Sequence, residues 1–503
     1  MSRARLAVAA GSRLAATAAA EIGRSGGNSL DACVAAAVMA WVAEPFMCSL
    51  GGSGFITVRD QQGAVRVFDG NNAVPLEAPV EPGQGLRRTF LENYSNGMYT
   101  GIGGGSVAVP GVLAALRSAW EAHGALRWEA LFSPAIEAAE SGIPLPATSA
   151  YYLSETWDAI WSVYPEASAL LGRDGIPLRE GDVIRQPDLA ETLRLVATEG
   201  PGALFGGELG RAVAGEVQSD GGLMTVDDLV GYRCEVREPV TTDVFGWRVQ
   251  SNPPPSVGGA VLAHMLALLE GADLSDPLKR MRAIVEAETA ALGYRKEAYE
   301  DPGEIAAAFH EALERLRRRG AGSASTTHTS TADPEGLVCS LTQSNGYGSG
   351  LVVRGVFMNN TLGEEELNPR GAHGLAAGSR CHSNMTPTIA TRPGLTVGLG
   401  SPGADRIVGA IAQTFLALAL DDADLATAVA TPRAHLAAKP EGPLLCFEDD
   451  LPGVRLAEEM GYRPRPYEGL HMFFGAVQAA SCDDAGNIAA VHDPRRSGGS
   501  AVI

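Results

Sequence analysis

The residues best equipped for chemistry stand in one run, Ser325-Thr326-Thr327-His328-Thr329-Ser330-Thr331-Ala332-Asp333. A hydroxyl is a weak nucleophile and attacks an amide carbonyl only with a base within hydrogen-bond reach. A free α-amino group on the same residue would supply that base, with an ordinary pKa of roughly 7.7 to 8.0. One amino-terminal threonine can therefore be nucleophile and base together. The run passes into Val338-Cys339-Ser340-Leu341-Thr342-Gln343, whose alternation reads as a strand. Ser/Thr runs also serve as plain loops leading into a sheet, so this one takes its meaning from the other stretches that could do chemistry.

Three such stretches follow. Asn359-Asn360-Thr361-Leu362-Gly363-Glu364 puts an acid in a turn after a strand expected over Leu351–Met358. His382-Ser383-Asn384-Met385-Thr386-Pro387 sets a polar pair in a turn ahead of another strand. Leu395-Thr396-Val397-Gly398-Leu399-Gly400-Ser401-Pro402-Gly403-Ala404-Asp405-Arg406 carries GxGxxG between a strand and a helix, which alone would suggest dinucleotide binding. The βαβ unit which that reading requires is missing, because Asp421 and Asp422 end the helix with no apolar strand before them. The same geometry aims backbone N–H groups at negative charge, as an oxyanion hole requires.

Taken together, Thr326-Thr327-His328-x-Ser330 with Asp333 and Gly336, then Ser340-Leu341-Thr342 and Gly346-Tyr347-Gly348-Ser349-Gly350, resemble the small-subunit start of the γ-glutamyltranspeptidase family. Further blocks resemble the same family in the same order. They are Gly26-Gly27-Asn28-Ser29-Leu30-Asp31-Ala32 with Glu44-Pro45 and Gly51-Gly52-Ser53-Gly54-Phe55, Val109-Pro110-Gly111, Asn252 to Gly259, Gly400-Ser401-Pro402-Gly403, and Asp493-Pro494-Arg495-Arg496-x-Gly498-Gly499. The likeness thus spans nearly the whole chain.

The resemblance implies an N-terminal-nucleophile hydrolase of the α+β class, a four-layer αββα sandwich forming a single domain from two autoprocessed pieces, 1–325 and 326–503. Cleavage would fall between Ser325 and Thr326, leaving Thr326 as nucleophile with its own amine as base. Gly403 and Ala404 would offer the oxyanion N–H groups, and Thr342 or Ser344 would orient the amine. Glu364 would hold a substrate α-ammonium with Thr361 beside it, and Ser383 with Asn384 would stand where the family has a paired-serine clamp. One departure bears on specificity. The family's carboxylate-binding arginine is matched here by Asn71, and a neutral amide is a weaker partner for a carboxylate than a bidentate cation. A substitute would have to be Arg87, Arg88 or another arginine. The expected reaction is transfer of a γ-glutamyl group, as from glutathione, to water or an amine. The alternatives are a glutaryl- or cephalosporin-type acylase and an unprocessed homologue acting as a binding protein. None of these needs a metal or cofactor.

The elements that must position these residues are legible in part. Asn28 and Asp31 open an alanine-rich helix from Asp31 to about Val42, apolar all round and so expected to be buried. Phe55–Val58 and Val65–Asp69 read as a hairpin, Val112–His123 as a helix, and Trp128–Ser141, Gln186–Thr198 and Pro277–Glu300 as amphipathic helices. Helices are also expected at Arg406–Leu420 and Leu425–Ala430. The formal charge of −20 excludes a nucleic-acid binder, which needs a clustered basic face. The short basic run Arg315-Leu316-Arg317-Arg318-Arg319 reads as the solvated end of a helix. Seven scattered cysteines with no CxxC pair suit reduced, buried thiols in a cytoplasmic protein. Arg13 and Gly11 interrupt the apolar N-terminal run, which is too short for a membrane span. The partners implied are a small amide substrate and the second piece of the same chain, with a homo-oligomer as a further option.

Overall fold

The computed structural model describes residues 4–92, 97–300, 325–368, 370–437 and 442–503; the side chains of residues 292–300 and 325 lie outside the description. The basic run at 315–319 also lies outside the described residues.

Two large sheets dominate. Their strands before residue 325 are β1 (Ala7–Ala10), β2 (Ser53–Arg59), β3 (Val65–Gly70), β4 (Glu235–Arg237), β5 (Val240–Val244) and β6 (Trp247–Ser251). Those after it are β7 (Ser325–Ala332), β8 (Val338–Gly346), β9 (Thr388–Arg392), β10 (Leu395–Gly400), β11 (Gln478–Asp483), β12 (Ile488–Val491) and β13 (Gly499–Val502). The first sheet runs β4-β3-β2-β8-β7-β1-β13 and the second β5-β6-β9-β10-β11-β12. Every neighbouring pair in both is antiparallel. Strand β10 therefore lies between antiparallel partners, and its GxGxxG does not open a parallel βαβ unit.

The sheets face each other across a layer unusually rich in hydroxyls. Ser330 Oγ donates to the Gln478 carbonyl at 3.1 Å, Ser340 Oγ to the Leu399 carbonyl at 3.0 Å, and Thr57 Oγ1 to the Pro387 carbonyl at 2.9 Å. Each bond satisfies a buried polar group that would otherwise cost free energy to desolvate. His328 sits in the same layer, with Nδ1 2.8 Å from Thr342 Oγ1 and Nε2 2.9 Å from Ser330 Oγ. Burial pushes its imidazole down to about 3, so it is neutral at physiological pH. It needs Gly400 opposite, where a Cβ would lie 2.3 Å from the ring.

Helices α1 (Arg13–Arg24), α2 (Ser29–Ala43) and α3 (Val112–His123) cover the first sheet; α4 (Gly258–Glu270) and α6 (Arg406–Leu420) cover the second, and α5 (Pro277–Glu300) packs against both of these helices. Asn28 and Asp31 close a capping box at the start of α2, whose fifteen residues are all buried. Trp41 on α2 donates from Nε1 to Gln343 Oε1 on β8 at 2.8 Å, and Phe415 on α6 packs edge-on to Trp247 on β6 at 5.8 Å. The N-terminal run is core: β1 pairs with β7 on one side and β13 on the other.

Two expected elements differ. Trp128–Ser141 is a 3-10 turn, Trp128–Phe132, followed by a helix, Ser133–Ser141, because Pro134 can only enter a helix at its first turn. Leu351–Met358 is a two-residue hairpin pair, Val352–Val353 with Val356–Phe357, reversed at Arg354 (φ 48°) and Gly355 (φ 78°). Among the described residues no helix is long and apolar enough to cross a membrane.

Candidate active site

Thr326 sits where the ladder between β7 and β8 slips. Ser325 pairs with Gly346 and Thr327 with Gln343, so the register shifts across Thr326. Such an irregularity re-aims a side chain out of the sheet. Here the Thr326 hydroxyl lies 3.3 Å from Ser344 Oγ, to which it donates, and Ser344 Oγ in turn accepts from the Gly346 N–H at 3.0 Å. Of the two hydroxyls expected beside Thr326, Thr342 is instead turned to His328.

A narrow cleft opens at this point. Its lining brings together Thr326, Ser344, Asn71, Thr361, Glu364, Ser383, Asn384 and Ala404, and adds Ser53, Leu367, His382, Met385 and Ile407. Gly403 directly precedes Ala404 in the turn between β10 and α6. A wider groove around Arg117, Trp120, Trp128 and Pro201 shares no residue with this cleft.

Each wall has a local cause. Asn71 follows β3; its N–H donates to Asp69 Oδ1 at 2.9 Å and its amide Nδ2 to the Cys381 carbonyl at 2.5 Å. Thr361 Oγ1 accepts from Asn72 Nδ2 at 2.7 Å. Glu364, only 3% exposed, ends the turn after the short hairpin, and its carbonyl accepts from Asn368. Gly346 (φ 64°) keeps room for this acid, since a Cβ there would lie 2.7 Å from Glu364 Oε1. Ser383 Oγ accepts from the Met385 N–H at 3.2 Å, while its carbonyl takes N–H bonds from Val257 and Gly258 at the start of α4.

The turn Gly400 to Arg406 is conformationally unusual. Gly403 has φ 129° and Ala404 φ 54°, the latter a left-handed conformation that costs a non-glycine residue free energy. Neither N–H is taken up by another group among the described residues. Two adjacent free donors at the entrance to a helix suit a developing negative charge.

Arg87 and Arg88 do not line the cleft. Arg87 lies 3.7 Å from Asp220 and against Tyr164, and Arg88 grips Glu365 with two bonds of 2.5 and 3.0 Å. No lysine or arginine is among the described lining residues.

Sequence reasoning assigned no role to Glu44, though it adjoins the site. Its Oε2 accepts from Thr327 Oγ1 at 2.9 Å, and Gly11 keeps that contact open, since a Cβ there would meet Thr327 Oγ1 at 2.2 Å. Burial raises the Glu44 carboxyl to about 7, against the pull of the Thr327 hydroxyl and of Arg496. Arg496 reaches the Thr326 carbonyl at 3.5 Å. An acid in the apolar stretch before Pro45 was the available signal.

The family model described as Gamma-glutamyltranspeptidase matches residues 15–503. The chain belongs to the γ-glutamyltranspeptidase family. The family is one of enzymes, and this chain is among them. It is 32% identical over 87% of its length to an acylase ACY 1 proenzyme of Pseudomonas sp. strain SE83, covering 83% of that protein. It is 29% identical over 99% of its length to the glutathione hydrolase proenzyme of Bacillus subtilis strain 168, covering 91% of it. Among solved structures, cephalosporin acylase from Bacillus halodurans superposes with TM-score 0.82 at 25% identity, over 99% of this chain and 96% of that one. Helicobacter pylori γ-glutamyltranspeptidase gives TM-score 0.51 at 25% identity over 60% and 87%. Family membership makes the chain an amidase or acyltransferase of the N-terminal-nucleophile type.

Proposed function

We propose that the chain cuts itself between Ser325 and Thr326 and then transfers an acyl group from an amide to water or an amine through an ester on Thr326. The two pieces, 1–325 and 326–503, then make up one four-layer αββα sandwich. The observation that carries this reading is the Thr326–Ser344 hydroxyl pair at 3.3 Å, at a ladder slip that faces a cleft also lined by Glu364, Ser383 and Ala404.

In the mature enzyme the α-amine of Thr326 takes the proton of its own hydroxyl, and the Ser344 hydroxyl holds that amine in place. Oγ1 attacks the substrate carbonyl, and the Gly403 and Ala404 N–H groups receive the oxyanion. The ammonium then returns its proton to the leaving amine, and water or an acceptor amine releases the acyl group by the same steps reversed. Before maturation the same hydroxyl attacks the Ser325 carbonyl; the peptide C–N bond breaks, leaving an ester and a free Thr326 amine, and water then cleaves the ester to release the Ser325 carboxylate and restore the hydroxyl.

For the acyl group, Glu364 supports a substrate with an ammonium beside the cleft wall, as a γ-glutamyl amide has. Asn71, Ser383 and Asn384 would take its carboxylate by neutral hydrogen bonds, with Thr361 fixing the wall. A second reading, an acylase for an amide lacking the amino-acid head group, is favoured by the absence of a lysine or arginine from the described lining and by the acylase relatives. Assaying γ-glutamyl, glutaryl and uncharged acyl amides side by side separates the two; turnover confined to the latter pair removes the γ-glutamyl reading. The mechanism itself is tested by Thr326→Ala. Intact mass should give two fragments for the wild type and one full-length chain for a folded variant that turns over nothing. A Thr326→Ala protein that still hydrolyses amides would end the proposal.

A further inference from the structure

Behind the Gly403–Ala404 turn lies a buried chain of charges to which no role has been assigned. Asp405, the residue after Ala404, holds Arg406 Nη1 at 2.6 Å through Oδ1 and faces His435 Nε2 at 3.5 Å through Oδ2. His435 Nδ1 donates to Glu288 Oε1 at 2.6 Å, and Glu288 Oε2 accepts from the Leu436 N–H at 3.0 Å. Arg406 Nε donates to the Phe473 carbonyl at 2.9 Å and its guanidinium lies over the Phe473 ring. All four charged side chains are at most 6% exposed. They come from three separate elements: Glu288 from α5, Asp405 and Arg406 from the turn into α6, and His435 from the strand Ala434–Ala437.

Burying four ionisable groups is costly and gives little net stability over an apolar packing of the same volume. The neighbouring turn has a need that the cluster meets. Ala404 is held at φ 54°, and a strained backbone persists only when its surroundings over-determine it. Asp405 is the covalent neighbour through which they can do so. With His435 protonated the cluster alternates in sign, Glu288⁻, His435⁺, Asp405⁻, Arg406⁺. With His435 neutral, the carboxylates of Glu288 and Asp405 lose the cation between them, and Asp405 has less reason to stay where it is.

We propose that His435 and Glu288 are positioning residues for the reaction, holding Asp405 so that the Gly403 and Ala404 N–H groups face the oxyanion. The inference rests on the oxyanion role given to that turn above. Burial on its own would lower the His435 pKa, but the carboxylates of Glu288 and Asp405 override it and raise it to about 9. The other titratable groups near the ring are Arg406, Cys446 across the strand pair, and beyond it Arg465 and Tyr467. Cys446 is raised to about 12 by burial, and within the Glu288–His435–Asp405–Arg406 cluster itself His435 is the group raised to about 9.

The test compares the processed wild type with His435→Gln and Glu288→Gln, each normalised to active sites titrated with a threonine-directed covalent inhibitor. The wild-type kcat should fall above pH about 9. His435→Gln should lower kcat at pH 8 by roughly 100-fold, the scale of a misplaced catalytic group, leave KM within threefold and lack the alkaline fall. Glu288→Gln removes one of the two carboxylates that hold the proton, so the alkaline fall should move to lower pH by at least one unit. A merely structural role would change the unfolding midpoint and the number of titratable sites but not kcat per site or the position of that fall. The inference is overturned if His435→Gln keeps kcat per site within threefold of wild type, or if the fall stays put in Glu288→Gln. Should His435→Gln fail to fold, the Glu288→Gln profile decides. Failure of the wider mechanism would show separately, as activity surviving Thr326→Ala.

Discussion

At the scale of single residues, Asn71 and Glu44 carry the most specific expectations. Asn71 stands where a guanidinium would make a charge-assisted bond to a substrate carboxylate, worth about 1.5 to 3 kcal/mol against about 0.5 to 1.5 for a neutral one. If γ-glutamyl amides are the substrates, Asn71→Arg should lower their KM by roughly 5- to 10-fold and leave uncharged acyl amides unaffected. Equal effects on both, measured by initial rates, would place the carboxylate elsewhere. Glu44 makes a prediction about stability. The folded chain keeps its proton up to about pH 7, whereas its ordinary carboxyl value is 4.5. Between those values the unfolded chain releases a proton that the folded chain holds. The stability from this group is therefore complete below pH 4.5, falls as pH rises to 7 and is level above it, a change of about 3 kcal/mol. Glu44→Gln lacks this dependence, while His328 (about 3) and Asp333 (about 6) titrate in both proteins and cancel. Urea unfolding at pH 4.5 and pH 8 should show wild type losing about 3 kcal/mol relative to the variant; an unchanged difference would contradict a buried protonated Glu44.

At the scale of elements, the sequence was readable where a local rule decides and silent where distant segments meet. Val112–His123, Arg406–Leu420 and Leu425–Ala430 have the expected bounds because periodicity and capping are properties of neighbouring residues. The turn at Arg354 and Gly355 was missed because apolar residues on both sides made one strand look continuous. Sheet order was not legible, since β1 lying between β7 and β13 joins residues hundreds of positions apart. The site shows the same division. Thr326, Glu364 and Ser383 sit in recognisable local motifs, but Glu288 and His435 have no spacing that announces their meeting. The inter-sheet layer gives the element-scale prediction. A methyl added by Gly400→Ala would lie 2.3 to 2.8 Å from three atoms of the His328 ring. Overpacking of this kind costs about 1 to 3 kcal/mol, and here both sheets must part to relieve it. A lowered unfolding midpoint with processing slowed but not abolished is expected; an unchanged midpoint would mean that the ring moves freely.

At the scale of the whole molecule, the order of the first sheet decides what cleavage after Ser325 can do. Reading across it, β4, β3 and β2 come from residues before the cut, β8 and β7 from residues after it, β1 from before and β13 from after. The second sheet joins β5 and β6 from the first piece to β9 through β12 from the second. Neither piece holds a complete sheet, and strands with unpaired edges and one bare face do not persist alone in water. The cut leaves Thr327 to Ala332 paired to β8, and Ala332 back to Thr329 paired to β1 as well. Cleavage should therefore free an amine without freeing a subunit. Processed protein is expected to run as one species on a sizing column in non-denaturing buffer, to resolve into two chains only after full unfolding, and to lose both in a single urea transition. Residues 326–503 expressed alone should be insoluble or unfolded by circular dichroism. A folded, monomeric 326–503 piece, or two pieces parting in mild buffer, would show that the interleaved sheets do not hold the enzyme together.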